Sequence, residues 1–115
     1  MSAADAVATW RSLVGEASAP YRRSGRFAWH FARGKLRWDP IFVHLLSRGV
    51  IAPRTRVLDI GCGQGLLASL LSAAARVAHD GRWPSDWAEP PLDVRVRGIE
   101  LQRRDVERAR EALGD

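Results

Sequence analysis

The sequence predicts an α/β fold in which helices come first and a β-α-β-α unit follows. Apolar residues recur at helical spacing over residues 3–17. The period changes at Thr55–Ile60, a short β-prone run that ends in a cluster of glycines, and residues 94–99 alternate like a second strand. We therefore divide the chain into an N-terminal helical segment, residues 1–50, and an α/β segment, residues 51–115.

A second helix is predicted from about Ser24 to Arg33. Phe27, His30 and Phe31 share one helical face there, and we expect this face to be buried against other helices. Cationic residues alternate with the aromatic residues throughout this stretch.

The third helix is predicted over residues 40–48. Asp39 stands at the position of an N-cap, Pro40 at the first helical position, and Gly49 where a C-terminal glycine is favoured. Its apolar side chains indicate a face that packs onto a larger body.

The α/β segment continues with a helix over Leu66–Val77 and a final helix that ends at Gly114. Residues 79–93 lie between the first of these helices and the second strand. Three prolines and one glycine predict irregular structure there, and Trp83 and Trp87 favour an ordered loop over disorder.

Composition excludes several classes of protein. Cys62 is the sole cysteine of the 115 residues, which excludes an intrachain disulfide and a cysteine-built metal site, and we expect no metal. The longest uncharged stretch, residues 60–75, is too short and too polar to span a bilayer. Nothing in the first twenty residues resembles an export signal, so we expect a cytoplasmic protein without a membrane partner.

The positive charge is unevenly distributed. Residues 1–50 hold eight Arg or Lys and three acidic residues, whereas residues 51–115 hold ten of each, so the whole excess of +5 lies in the helical segment. A basic segment is typical of proteins that bind polyanions. Seventeen of the eighteen basic residues are arginine, which also fits the codon usage of a GC-rich genome.

The residues that carry chemistry follow the first strand. Residues 57–66 read VLDIGCGQGL, which puts a glycine-rich turn between a strand and a helix. This position, at the carboxyl end of a strand, is where open α/β sheets bind ligands. Glycines let the backbone approach a ligand closely, and the helix that follows offers free N–H groups.

This motif, with Asp59 two residues before Gly61, resembles motif I of the class I S-adenosylmethionine-dependent methyltransferases. Their second signature, an acidic residue at the end of the next strand, is matched by Glu100. The resemblance implies a Rossmann-like methyltransferase fold with S-adenosylmethionine as cofactor, in which Glu100 holds the ribose and Leu101 packs near the adenine. The implied cofactor-binding residues are Asp59, Gly61, Cys62, Gly63, Gly65, Glu100 and Leu101. Cys62 on its own is expected to be a packing residue rather than a nucleophile.

Two features depart from the family pattern. Gly65 and Glu100 are thirty-five residues apart, which is longer than usual, and the excess lies in the 79–93 loop, a candidate cover for the site. The sequence also ends where the family's third strand begins, so it matches the N-terminal half of the fold and leaves the sheet incomplete. We expect the catalytic residues to lie elsewhere, this chain to be inactive alone, and a C-terminal half or a second copy to complete the sheet.

The methyl acceptor is open between several classes. The N-terminal helices resemble the segment that forms one substrate wall in many small-molecule methyltransferases, which favours a small or carrier-linked acceptor. Arg33 and Lys35 are candidate contacts for an anionic group of the substrate or cofactor. An RNA acceptor is the alternative, because aromatic and basic residues interleave, but the expected burial of Phe27 and Phe31 disfavours nucleic acid. A non-catalytic cofactor-binding or dimerisation module is the remaining alternative.

Overall fold

The computed structural model describes residues 3–114 and has a helical N-terminal part followed by two strands and two helices. A 3₁₀ helix, Ala19–Ser24, connects the first two α-helices. The elements are α1 (Ala3–Ser18), α2 (Arg26–Trp38), α3 (Pro40–Ser47), β1 (Arg56–Ile60), α4 (Leu66–His79), β2 (Arg95–Ile99) and α5 (Arg103–Leu113).

The two strands form a parallel pair, as the β-α-β pattern predicts. Arg56 pairs with Arg95 at one end of the ladder, and Ile60 pairs with Ile99 at the other. Helix α4 provides the crossover between them. The carboxyl ends of both strands therefore lie side by side, at the edge where the glycine turn begins.

The two faces of this sheet have different surroundings. Asp59 and Val96 point to the face that α4 and α5 cover, where they line a common cavity with side chains of both helices. On the opposite face Leu58, Ile60 and Ile99 are exposed to 56%, 75% and 47%. Within residues 3–114, no helix covers these three side chains as α4 and α5 cover the other face of the sheet.

The helical segment and the α/β segment share one core. Helix α1 packs against α4, and the hydroxyl of Ser69 in α4 donates a hydrogen bond to the carbonyl oxygen of Ala17 at 2.6 Å. The 3₁₀ helix packs against α5, where the Ser24 hydroxyl donates to the carbonyl oxygen of Arg108 at 3.2 Å. The buried apolar side chains of residues 13–36 thus form a single cluster with those of α4.

Helix α2 is longer than predicted. It begins one residue after Gly25, which has a φ of +100°, and it continues through Gly34 to Trp38. It ends there because Pro40 disfavours a helical conformation at Asp39. The side chain of Asp39 accepts a hydrogen bond from the backbone N–H of Ile41 at 3.1 Å, which confirms the predicted N-cap of α3.

The expected burial of the aromatic face of α2 is wrong. Phe27 is 66% exposed and Phe31 is 47% exposed, whereas the buried side of α2 consists of Ala28, Ala32 and Leu36. Small alanine side chains let α2 approach its neighbours closely, so the helix turns its small residues inward and its large rings outward.

Residues 80–93 form an ordered loop, as the tryptophans suggested. The Trp83 and Trp87 rings meet edge to face with centroids 5.3 Å apart, and the Trp83 indole N–H donates to the carbonyl oxygen of Ala88 at 2.9 Å. The Ala88 N–H in turn donates to the carbonyl oxygen of Ser47 at the end of α3. Among the helices of residues 3–114, none has the length and apolar character needed to cross a membrane.

Candidate functional site

The glycine turn connects β1 to α4 with three left-handed glycines. Gly61, Gly63 and Gly65 have φ values of +72°, +59° and +85°. Residues with a Cβ rarely adopt this left-handed backbone conformation, so the turn favours glycine at all three positions. The predicted motif therefore forms the tight strand-to-helix turn that its spacing indicates.

The three glycines differ in what surrounds them. A Cβ built on Gly61 or on Gly63 meets no atom within 4 Å. A Cβ on Gly65 would lie 2.9 Å from Cδ1 of Leu113 and 3.5 Å from Cβ of Ala109, both in α5. The turn thus has an open outer half at Gly61 and Gly63 and an inner half at Gly65 that contacts α5; Gly65 also lines a cavity on the α4 and α5 side, so its predicted cofactor contact stays a prediction.

The carboxylate of Glu100 lies directly against the open half. Its Oε1 accepts a hydrogen bond from the backbone N–H of Gly63 at 2.7 Å, and its Oε2 accepts one from the N–H of Gln102 at 2.9 Å. The N–H of Gln102 and then that of Gly63 hold the pKa of Glu100 below its usual range. Each carboxylate oxygen accepts one of these bonds and retains a lone pair for a further donor.

Asp59 and Cys62 are partly buried beside the turn. Burial raises the pKa of the Asp59 carboxyl. Burial, together with the negative charges of Asp59 and Glu100, raises the pKa of the Cys62 thiol. A raised pKa disfavours the reactive thiolate, which agrees with Cys62 as a packing residue. Its Sγ would lie 2.7 Å from a Cβ on Gly98, so Gly98 leaves room for the Cys62 side chain.

Leu101 lies at the end of β2 and is 95% exposed. Its side chain therefore has no partner in the described part of the chain. An adenine contact at this position stays a prediction.

The two candidate anion contacts are separated by the geometry of α2. Lys35 lines the cavity beside the glycine turn and forms an ion pair with Asp39, with Nζ and Oδ2 2.8 Å apart. Arg33 faces away from the turn, and its guanidinium lies over the Trp29 ring at 4.9 Å from the centroid. The structure thus brings Lys35 to the site and leaves Arg33 on another side of α2.

Two cavities flank the turn. One, of about 680 Å³, lies between the covered face of the sheet and helices α4 and α5, and Glu100 and Gly63 line it. The other, of about 330 Å³, lies between the turn and helices α2 and α3. Asp59, Cys62 and Gly63 line both cavities.

Sequence reasoning missed two residues that attach the turn to the helical segment. The hydroxyl of Tyr21, which is fully buried, donates to the carbonyl oxygen of Gln64 at 2.7 Å, and burial raises its pKa. The side-chain amide of Gln64 donates to the carbonyl oxygen of Ala28 at 2.9 Å. These two hydrogen bonds join residues 36 or more positions apart, so a local sequence pattern cannot predict them.

The loop of residues 80–93 is not a cover for the site. It connects the carboxyl end of α4 to the amino end of β2, and it packs on the end of α3. None of its residues lines either cavity beside the glycine turn. The parallel sheet places this loop at the amino ends of the strands, opposite the turn.

No family model, no curated protein and no solved structure matches this chain.

Proposed function

We propose that the glycine turn binds S-adenosylmethionine and that the chain belongs to a methyltransferase. The observation that carries this proposal is the open half of the turn, with the Glu100 carboxylate beside it at the ends of two parallel strands. A carboxylate at this place accepts hydrogen bonds from vicinal ribose hydroxyls, and backbone without a Cβ admits a ligand in close contact.

The surroundings of the turn fit such a ligand. A Cβ at Gly61 or Gly63 would occupy the open space that a ligand needs. Gln64 lines the smaller cavity, and its buried Oε1 has no hydrogen-bond partner within residues 3–114. An ammonium group of the ligand would supply the missing donor. The cavities of about 330 and 680 Å³ are together large enough for a molecule of this size.

Each residue has one role in this proposal. Glu100 orients the ribose, and the Gly61–Gly63 backbone supports the methionine part. Asp59, partly buried and at the end of β1, provides negative charge near the amino group. S-adenosylmethionine, when bound, would supply an activated methyl group on its sulfonium sulfur, and Glu100 and the turn backbone would hold it in place. Positioning of the two reactants then provides much of the rate acceleration.

Calorimetric titration with S-adenosylhomocysteine tests the proposal. Saturable binding is expected for the unaltered chain, with a loss of roughly tenfold or more in affinity for Glu100→Ala, because ligand hydroxyls lose a charged acceptor. Glu111→Ala is the matched control, since Glu111 is an exposed residue of α5 that lines neither cavity. A folded chain that fails to bind, or equal affinity in both variants, contradicts the proposal.

A second candidate function is a cofactor-binding module without catalysis that pairs with another polypeptide. The exposed sheet face of Leu58, Ile60 and Ile99 favours it, because uncovered apolar sheet faces and strand edges are sites of association. Light-scattering mass tests self-pairing, because a module that completes its own sheet is at least dimeric at micromolar concentration and a monomer contradicts it; methyl transfer by the chain would contradict a module without catalysis.

A further inference from the structure

Helix α2 presents two parallel stripes of exposed side chains. Phe27, Phe31 and Trp38 are spaced by four and seven residues and form an aromatic stripe. A cationic stripe of Arg26, Arg33 and Arg37, spaced by seven and four residues, lies beside it, with His30 on the same face. Every member of both stripes is exposed, since α2 faces the core with its alanines.

The cationic stripe borders a groove. This groove, of about 630 Å³, lies between α1 and α2, and Arg33 and Arg37 line it opposite Arg11 and Trp10 of α1. A Cβ at Gly15 or at Gly34 would meet nothing within 4 Å, so the groove is open where these residues line it. The groove therefore has three arginines at its walls, beside apolar side chains such as Trp10 and Val14.

The aromatic stripe is arranged for stacking. The Phe27 and Phe31 rings are nearly parallel, with an interplanar angle of 15° and centroids 6.3 Å apart. Arginines already stack on rings nearby, with Arg37 over Trp38 at 4.8 Å and Arg33 over Trp29 at 4.9 Å. Arg108 of α5 likewise lies over the Phe27 ring at 5.1 Å, so a planar base would stack on the exposed ring faces that these arginines leave free.

We propose that the α2 surface, meaning these two stripes and the groove, binds single-stranded RNA. Phosphates lie along Arg11, Arg33 and Arg37, and bases stack on Phe27, Phe31 and Trp38. Single-stranded nucleic acids are bound by this combination of a cationic groove and exposed aromatic rings. The +5 charge of the helical segment complements a polyanion.

The composition of the surface favours a nucleic acid over a lipid bilayer. The eight exposed side chains of α2 are three aromatics and five residues of the basic types, with no aliphatic side chain among them. Helices that lie in a membrane interface bury a continuous apolar face instead. Planar guanidinium groups that stack on rings are typical of nucleic-acid recognition.

The α2 surface leads to the glycine turn. Phe31 and Lys35 line the 330 Å³ cavity together with Gly61 and Gly63. A base stacked on Phe31 would stand at the mouth of this cavity. The identification of that base as the methyl acceptor rests on the proposed function, whereas the binding of RNA does not.

Fluorescence anisotropy with a short labelled oligouridine tests the inference on the whole chain. We expect saturable binding that weakens steeply as salt is added. Arg33→Glu together with Arg37→Glu is expected to lower affinity roughly tenfold or more and to reduce the salt dependence by about two phosphate contacts. The matched control is Arg56→Glu with Arg95→Glu, an equal charge change at the amino ends of the strands, which is expected to leave most of the affinity intact.

Phe31→Leu distinguishes base stacking from electrostatic attraction to phosphates and from membrane binding. Leucine keeps an apolar side chain at an exposed position, so the fold is retained, while the loss of one ring is expected to weaken oligouridine binding roughly tenfold. Equal affinities of Phe31→Leu and the unaltered chain would overturn the inference, as would equal losses in the two charge-reversed pairs. Preferential binding to anionic phospholipid vesicles, undiminished by Phe31→Leu, would assign the surface to a membrane instead.

The inference and the proposed function fail separately. Oligouridine binding without S-adenosylhomocysteine binding leaves the α2 surface as an RNA site and removes the methyltransferase. S-adenosylhomocysteine binding without oligouridine binding does the reverse.

Discussion

The two halves of the glycine turn have different surroundings, although both are built from glycines at positive φ. At Gly61 and Gly63 the space that a Cβ would fill is open, and the backbone N–H of Gly63 donates to the Glu100 carboxylate. At Gly65 the same space is filled by Leu113 of α5, and the adjacent Gln64 is bonded to Tyr21 and to the backbone of α2.

This difference separates two reasons for glycine within one short motif. The inner half is glycine because helices α2 and α5 and the 3₁₀ helix meet there, which is a requirement of the fold. The positive φ alone favours glycine at Gly61 and Gly63, where no neighbouring atom adds a second constraint, and the proposed ligand would use this open space. A substitution in the inner half should therefore lower stability more than binding, and a substitution in the outer half should lower binding more than stability.

Gly65→Ala is expected to cause the largest loss of stability. The substitution places alanine in a left-handed conformation, which costs about 1–2 kcal/mol, and the new methyl group also displaces the flexible end of the Leu113 side chain. Urea unfolding measures the sum, an expected decrease of about 2–3 kcal/mol in the free energy of unfolding. A decrease no larger than that of Gly63→Ala, which has the same backbone cost and no α5 neighbour, would show that α5 does not constrain the turn at Gly65.

Tyr21→Phe is expected to have the next largest effect. It removes a buried hydroxyl and leaves the carbonyl oxygen of Gln64 without this donor, which costs about 1–3 kcal/mol. Equilibrium unfolding monitored by circular dichroism measures the loss. Stability equal to that of the unaltered chain would mean that the helical segment does not depend on the turn through this bond.

Gly63→Ala is expected to change stability less than Gly65→Ala and binding more. The left-handed conformation disfavours alanine by about 1–2 kcal/mol, but no atom within 4 Å opposes the new methyl group. The affinity for S-adenosylhomocysteine, measured by calorimetry, is expected to fall roughly tenfold or more, because the methyl group occupies the ligand's space. Unchanged affinity in a folded variant would remove the distinction between the two halves.

Glu100→Gln is expected to have the smallest effect on stability, and the effect depends on pH. The folded protein holds the pKa of Glu100 below its unfolded value, so the carboxylate stabilises the fold at neutral pH. This contribution is lost as pH falls below about 4 and through the lowered folded pKa. The difference in unfolding free energy between the two proteins, followed by urea unfolding, should therefore vanish in acid; a constant difference would contradict the bonds to Gly63 and Gln102.

Local signals in the sequence were sufficient for most elements. Asp39 and Pro40 predict the start of α3, Gly114 predicts the end of α5, and the change of period at Thr55 predicts β1. Each of these signals acts through the residue's own backbone preference or cap, so it can be seen without tertiary contacts.

The errors came from contacts between distant residues. Helical spacing shows that Phe27 and Phe31 share a face, but not whether that face or the alanine face meets the core. Gly98 and Gly65 are glycine because of Cys62 and Leu113, which lie 36 and 48 positions away. The conformation of the glycine turn was predictable because it is local to a motif, whereas the exposure of the α2 rings depends on which face of the helix meets the core.

Nuclear magnetic resonance of the isotopically labelled chain, titrated with S-adenosylhomocysteine, tests most directly whether the open half of the turn is a ligand site. The amide signals of Gly61, Gly63 and Glu100 are expected to shift in a saturable way, with smaller shifts at the packed Gly65. The signals of Thr55 and Arg95, which lie together at the amino ends of the strands and away from the turn, should not shift. A folded protein whose turn amides do not respond, or respond no more than those of Thr55 and Arg95, would contradict the assignment of this turn to a ligand.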